Sequence, residues 1–217
     1  MSFLILPRYV THMGRRSARD SEEQFCDILL RTGSIKFGTF KLASGILSSY
    51  YVDLRLIPGD PEAFRRIISF YLTLLASVGR RVQRLAGIPT AGIAYAAVLA
   101  YDLRKPFLYV RKEPKAHGRG RRIEGLLLPG ERVLVLDDVV TTGTNIVEAV
   151  EVIRAEGGIV QDAVVLLDRQ QGGEANLKRT GVKLHSFTTM RRIADRLMVR
   201  GTIDDGQYKE IVSQIVG

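Results

Sequence analysis

The chain has one cysteine, Cys26, and no tryptophan in 217 residues. A single thiol excludes an internal disulfide and fits a reducing compartment, so the expected location is the cytoplasm. Cys26 sits among apolar helix positions and reads as a small core hydrophobe. The three histidines, His12, His117 and His185, lie far apart, and no His/Cys cluster points to a transition-metal site. No apolar run approaches the ~18 residues of a membrane span. Phe3 to Leu6 is too short for a signal-peptide core, and no small-residue cleavage site follows it. Asparagine is scarce (only Asn145 and Asn176) beside many arginines, a composition that leans towards heat-adapted proteins. Acidic residues are outnumbered, 23 against 32 basic, for a net charge of +9. That excess suits nucleic acid or small polyanionic substrates, and its distribution must decide between them.

What is present fits one α/β domain with a real core; the hydrophobic share is 46%. Residues 1–20 show little periodicity and several arginines. They are expected to be loosely ordered, or partly an upstream extension, since Met13 offers a second start. Ser21-x-x-Gln24 reads as a capping box opening a helix to Arg31. Residues 35–42 and 50–54 read as extended arms. Asp60-Pro61 opens a second helix. Beyond it, strands at 81–86, 107–110, 133–136, 159–167 and 182–187 alternate with helices at 94–103, 145–156, 174–180, 190–198 and 204–216. This alternation predicts a doubly wound, mostly parallel sheet with helices on both faces. Ligands of such sheets bind at the carboxyl ends of strands. The turns after Ala86, Val110, Asp137 and Leu167 are therefore expected to share one rim.

The chain is organised around Val133 to Thr144, VLVLDDVVTTGT. An apolar strand ends in Asp137 and Asp138. Val139, Val140, Thr141, Thr142, Gly143, Thr144 and Asn145 then turn into a helix. A helix start offers unpaired N–H groups and the positive end of the helix dipole, which suits a phosphate. Gly143 permits close backbone approach, and the threonine hydroxyls add donors. Two carboxylates beside that cradle suit vicinal hydroxyls. The combination describes a ribose 5-phosphate site. Three further constellations stand out. Arg111 to Arg122 holds six Arg or Lys against one Glu, with glycines at 118 and 120, as a mobile basic flap would. Asp168-Arg169-Gln170 places an arginine fork at a strand end, a match for a carboxylate. Gly87 to Gly92 is a glycine-flanked turn of the kind that binds anions through backbone N–H groups.

The organising stretch resembles the signature of type I phosphoribosyltransferases, which bind phosphoribosyl pyrophosphate (PRPP). The loop R-K-x-x-K-x-H-G-x-G from Arg111 is similar to that of the orotate phosphoribosyltransferases, and Asp168-Arg169-Gln170 matches their DRQ element. The resemblance covers the chain from about Ser21. It implies transfer of phosphoribose from PRPP to orotate, giving orotidine 5′-monophosphate and pyrophosphate. It implies Mg²⁺ held mainly by substrate oxygens and waters, with no dedicated protein metal site. It also implies a homodimer in which loop 111–125 reaches the neighbour's site. Carried over, Asp137, Asp138, Lys115 and His117 are catalytic. Arg111, Lys112, Lys115, His117, Thr90, Ala91 and residues 137–145 bind PRPP or pyrophosphate. Thr141, Arg169, Tyr51, Val52 and Ala43 line the orotate site. Residues 21–60 become a hood over the base, and 61–217 the core with its C-terminal helices. Many family members carry lysine where Ala43 and Ala91 stand; Lys36, Lys41 and Arg55 are the nearby cations here. Two other functions fit less of the chain: transfer to uracil or a purine, which lack the carboxylate, and RNA binding on the same fold.

Overall fold

The computed structural model describes residues 18–41, 47–78, 81–113 and 122–215. Helix α1 (Ala18–Arg31) leads into an antiparallel hairpin, β1 (Ile35–Lys41) and β2 (Leu47–Val52). Asp53 accepts from the Arg55 N–H and turns the chain into a short 3-10 stretch, Leu54–Gly59. Then follow α2 (Pro61–Val78), β3 (Arg84–Gly87), α3 (Ala91–Leu103), β4 (Phe107–Val110) and β5 (Ile123–Glu124). β6 (Val133–Leu136), β7 (Val139–Val140), α4 (Thr144–Ala155), β8 (Asp162–Asp168) and α5 (Gly173–Arg179) carry the rim. β9 (Lys183–Thr189), α6 (Met190–Val199) and α7 (Asp205–Ser213) complete the chain. Among the described residues, no helix is long and apolar enough to cross a membrane.

The main sheet runs β5-β4-β3-β6-β8-β9, with β7 also on β8. All its pairings are parallel except the antiparallel edge β4/β5. This is the expected doubly wound class. Helices cover both faces, so a strand such as β6 is buried at every position. Leu134 and Leu136 join Leu85, Val164 and Leu166 on one face, with α2, α3, α6 and the hairpin. Val133 and Val135 join Ala86, Ala163 and Val165 on the other, with α4 and α5. Deleting a buried leucine side chain typically costs about 2–5 kcal/mol, so the strand end that carries Asp137 is firmly anchored.

Several boundaries differ from expectation, each for a physical reason. α1 begins at Ala18, so Ser21 lies inside the helix and is no N-cap; nothing at 18–20 breaks the helix, and Asp20 supplies the acid of its first turn. β2 starts at Leu47 and stops at Val52, where the Asp53 cap takes over. α3 starts at Ala91, three residues early, because Gly92 lets the helix abut the end of β6: a Cβ there would lie 2.6 Å from the Leu136 carbonyl. Ile159 makes only an isolated bridge to Arg132, and β8 proper begins at Asp162. The capping box expected at Ser21 is found instead at Asp204 and Gln207, at the head of α7.

Candidate active site

β6 and β7 lie along the same edge of β8. Leu136 pairs with Val164 and Val139 with Leu167, so the register is kept across the break between them. Asp137 and Asp138 fill that break. The Asp137 N–H reaches the Val164 carbonyl at 3.1 Å, and the Asp138 carbonyl accepts from Leu166 and Leu167 at 3.0 and 3.1 Å. Tyr71 Oη donates to the Asp137 carbonyl at 2.6 Å. Asp137 Oδ1 accepts from the Asp138 N–H, and Asp138 Oδ1 from the Val139 N–H. The acid pair is therefore fixed by backbone bonds and is largely buried. Burial pushes the Asp137 carboxyl well above its ordinary range, reinforced by the charge of Asp138; burial also raises Asp138.

Immediately beyond, residues 139–146 and Asp137 line a pocket of about 120 Å³. Gly143 is the N-cap of α4, at φ 77°, and no side chain caps this helix. Its first-turn N–H groups thus face the pocket side without a capping oxygen. Thr142 Oγ1 and Thr144 Oγ1 lie 2.9 Å apart, and Asn176 of α5 steadies the turn through the Thr142 carbonyl at 2.7 Å. α3 is likewise uncapped by a side chain at Thr90, and its Gly92 packs against Asp137. Two helix N-termini therefore flank the acid pair.

Arg169 follows β8 on the same rim. It is only 7% exposed. Its Nε donates to Tyr50 Oη at 3.1 Å and its Nη2 to Ser48 Oγ at 3.4 Å, while its guanidinium lies 4.6 Å from the centre of the Tyr50 ring. Among the described residues no carboxylate pairs with it. A buried, permanent positive charge with only neutral partners is costly unless an anion joins it.

The phosphoribosyl transferase domain family matches residues 61–187. The orotate phosphoribosyltransferase of Pyrobaculum islandicum is 45% identical over 187 residues, 86% of this chain and 95% of that protein. That of Pyrobaculum aerophilum is 43% identical over 86% of this chain and 95% of its own length. The crystal structure of orotate phosphoribosyltransferase from Aeropyrum pernix superposes with a TM-score of 0.71 at 36% identity, covering 79% of this chain and 98% of that one. This chain belongs to the orotate phosphoribosyltransferase family.

Within that family frame, the remaining expected residues fall as follows. Ala91 is the first residue of α3 and is buried, whereas Thr90 is exposed. Arg111 pairs with Glu124 at 3.2 Å, and its N–H meets the Arg122 carbonyl at 2.7 Å, which closes the base of the loop. Lys112 lies close enough for its charge to lower the Asp137 carboxyl, against the larger effect of burial. Lys115, His117 and Ala43 lie outside the described residues. Tyr51 and Val52 are half-buried in β2; Tyr51 Oη accepts from Arg55 at 3.2 Å and its ring tilts over Phe40. The tyrosine against Arg169 is Tyr50, not Tyr51.

Four residues were missed or left open by the sequence. Tyr50 and Ser48 hold Arg169, and strand alternation puts both on one face of β2, the one signal that could have found them. Arg122 clamps the loop base to α4, donating to the Arg111 and Lys112 carbonyls and to Glu148. Arg55 grips Asp53 with two bonds, which hold the Asp53 carboxyl below its ordinary range. Asp138 feels the charge of Asp53, and the exposed Arg55 feels that of Asp138, in each case as a minor influence.

Proposed function

We propose that this chain transfers the 5-phosphoribosyl group of PRPP to orotate, giving orotidine 5′-monophosphate and pyrophosphate, a step of pyrimidine biosynthesis. The observation that carries the choice of base is Arg169: a buried guanidinium with only neutral partners among the described residues, next to the ribose-phosphate cradle. Orotate brings a carboxylate to it; uracil and hypoxanthine do not. In the reaction the C1–O bond to pyrophosphate breaks and its electron pair leaves with pyrophosphate. A ring nitrogen of orotate gives up its proton, which leaves with pyrophosphate or solvent, and forms the new C1–N bond. Asp137 and Asp138 hold the ribose hydroxyls. Their charge, costly in a buried site, is offset when the sugar becomes cationic, so their gain is largest in the transition state. Thr141 to Asn145 hold the 5′-phosphate at the head of α4. Lys112, Arg111, Lys115, His117 and the head of α3 at Thr90 and Ala91 neutralise the departing pyrophosphate. Tyr51, Val52, Ala43 and Thr141 line the base.

Mg²⁺ fits the donor chemistry. Among the described residues no three His, Cys, Asp or Glu side chains converge on one point, but the hard carboxylate of Asp137 lines the cradle with that of Asp138 next to it in the chain, and Mg²⁺ takes oxygen ligands. Asp137 and Asp138 would hold it through water while PRPP oxygens supply most of its shell. Bound there, it would add positive charge against the pyrophosphate. The active form we propose is a cytoplasmic homodimer, with loop 111–125 of each subunit serving the other's site. Mixing inactive Lys115→Ala with inactive Asp137→Asn should then restore activity, and no recovery would remove the shared loop from the account.

The deciding assay follows orotate loss by ultraviolet absorbance with PRPP and Mg²⁺, beside uracil and hypoxanthine with product analysis. Turnover of orotate alone is expected. Turnover of uracil or hypoxanthine at a similar rate would overturn the role of Arg169.

A further inference from the structure

The contacts of Arg169 continue away from the rim to the end of α7. Ser48 Oγ has one proton and two acceptors within reach, the Tyr50 carbonyl at 2.7 Å and Gln214 Oε1 at 2.9 Å. Its lone pairs face Arg169 Nη2 and the Tyr50 N–H, both at 3.4 Å. The Gln214 amide also donates to Ser49 Oγ at 3.2 Å. The Gln214 carbonyl in turn accepts from Gln171 Nε2 at 3.2 Å. Gln171 stands two residues after Arg169 on the same turn. With the Ser48 proton turned to Gln214, the bonds close a ring through Arg169, Ser48, Gln214 and Gln171, and back along the chain to Arg169.

We infer that the end of α7 is a clamp on the base pocket, and that Gln214 and Gln171 are positioning residues for Arg169. This rests on the orotate reading of Arg169. Neither glutamine meets the substrate. They fix the separation between β2, which carries Ser48 and Tyr50, and the turn that carries Arg169. A closed ring does this where an open series of contacts does not, because one break releases both sides. Glutamine suits the place: a neutral amide offers donor and acceptor together, without the negative charge that would compete with a substrate carboxylate for the guanidinium. The 3.4 Å bond from Arg169 to Ser48 is long, so the aim of the fork depends on what holds Ser48.

The test is steady-state kinetics on the full-length protein, varying orotate and PRPP separately, for Gln214→Ala, Gln171→Ala, their double variant and Arg169→Ala. Each single glutamine variant should raise KM for orotate about tenfold and leave KM for PRPP within about twofold, the worth of one or two lost hydrogen bonds. The double variant should be no worse than either single, because the ring is already open. Unchanged orotate KM in both singles, with Arg169→Ala raising it, overturns the clamp and leaves the orotate reading standing. Unchanged orotate KM in Arg169→Ala overturns that reading, and the clamp falls with it. Additive effects in the double variant, or a lower Tm without the split in KM, show two packing contacts and also overturn the clamp.

Discussion

On the side of the site we assign to phosphate, the acid pair and cradle come from consecutive residues, 137 to 146, and much of what they offer is backbone. On the base side, Arg169 is held by Ser48, 121 residues away, and Ser48 by Gln214, 166 residues away. There the contacts are between side chains. The phosphate side needs only a strand end, a glycine and a helix start. The base side needs the hairpin, β8 and the last helix all docked. A phosphate is bound by the same N–H groups in any protein with this local shape, whereas a particular base is read by side chains that the whole fold must bring together. The phosphate side should therefore respond to backbone and charge changes, and the base side to loss of single polar atoms.

The largest effect is expected where the two sides meet. Asp137→Asn with Asp138→Asn should lower turnover by about 100- to 1,000-fold, as losing preorganised charge at a transition state does. Asn keeps the oxygens that accept from the Asp138 and Val139 N–H groups, so the fold is retained. The sign of the stability change is opposite. Both carboxyls are raised in the folded state. Ionising them therefore costs the folded state stability, a cost that is present at high pH and gone once pH falls to about 4, the ordinary Asp value. The double variant should melt higher than the parent at pH 7, and the difference should vanish near pH 4 in paired melting curves. An equal or lower Tm at pH 7 would mean that the pair is not held at a cost.

Next in size is a backbone change confined to the phosphate side. In Gly173→Ala the new Cβ would lie 2.6 Å from Val140 Cγ2 and 2.8 Å from the Thr141 carbonyl. The cradle must move to admit it. Overpacking of this kind costs about 1–3 kcal/mol, and KM for PRPP should rise about tenfold with it. KM for orotate should change far less. An equal rise in both would show that the two sides are not separable.

The same contrast explains what the sequence disclosed. Asp137, Asp138 and the Thr-Gly turn could be read directly, because their grammar is local. Val139–Val140 was legible only as turn, since a two-residue strand exists only through its partners Leu167 and Asp168. Tyr51 was carried over from the family resemblance; that Arg169 meets Tyr50 was not legible, because alternation places the two tyrosines on opposite faces of β2 without saying which face Arg169 will meet. That is decided by β8 and α7, distant in sequence. Ser21 matched a capping box, yet favourable helix continuation upstream took it into the interior of α1. Arg55 could be noted as a nearby cation, but its grip on Asp53 needed the fold.

Tyr50→Phe tests the base side by a single atom. The ring 4.6 Å from the Arg169 guanidinium stays, and only the hydroxyl that accepts from Nε goes. KM for orotate should rise about fivefold, near the net worth of one hydrogen bond, with KM for PRPP unchanged. A rise in PRPP KM instead would place Tyr50 on the phosphate side.

The smallest effect should come from the outer ion pairs of α1, in the segment read from the sequence as a hood. α1 is tied to α6 by Glu22, Glu23 and Asp27 against Arg192, Arg196 and Arg200. Glu22 is buried and Thr188 also donates to it, so its pairs are part of the core. Arg200 lies further out: it meets the exposed Asp27 at 2.7 Å and also pairs with Glu23. Such pairs are worth about 0–1 kcal/mol, so Arg200→Ala should lower Tm by about 4 °C at most for a chain of this size. Both KM values should stay at their parent levels if the proposed base pocket is held from within, through β2, Arg169 and the end of α7. If orotate KM instead rose as far as in Tyr50→Phe, the base side would extend to α1, and its aim would depend on the docking of the entire hood.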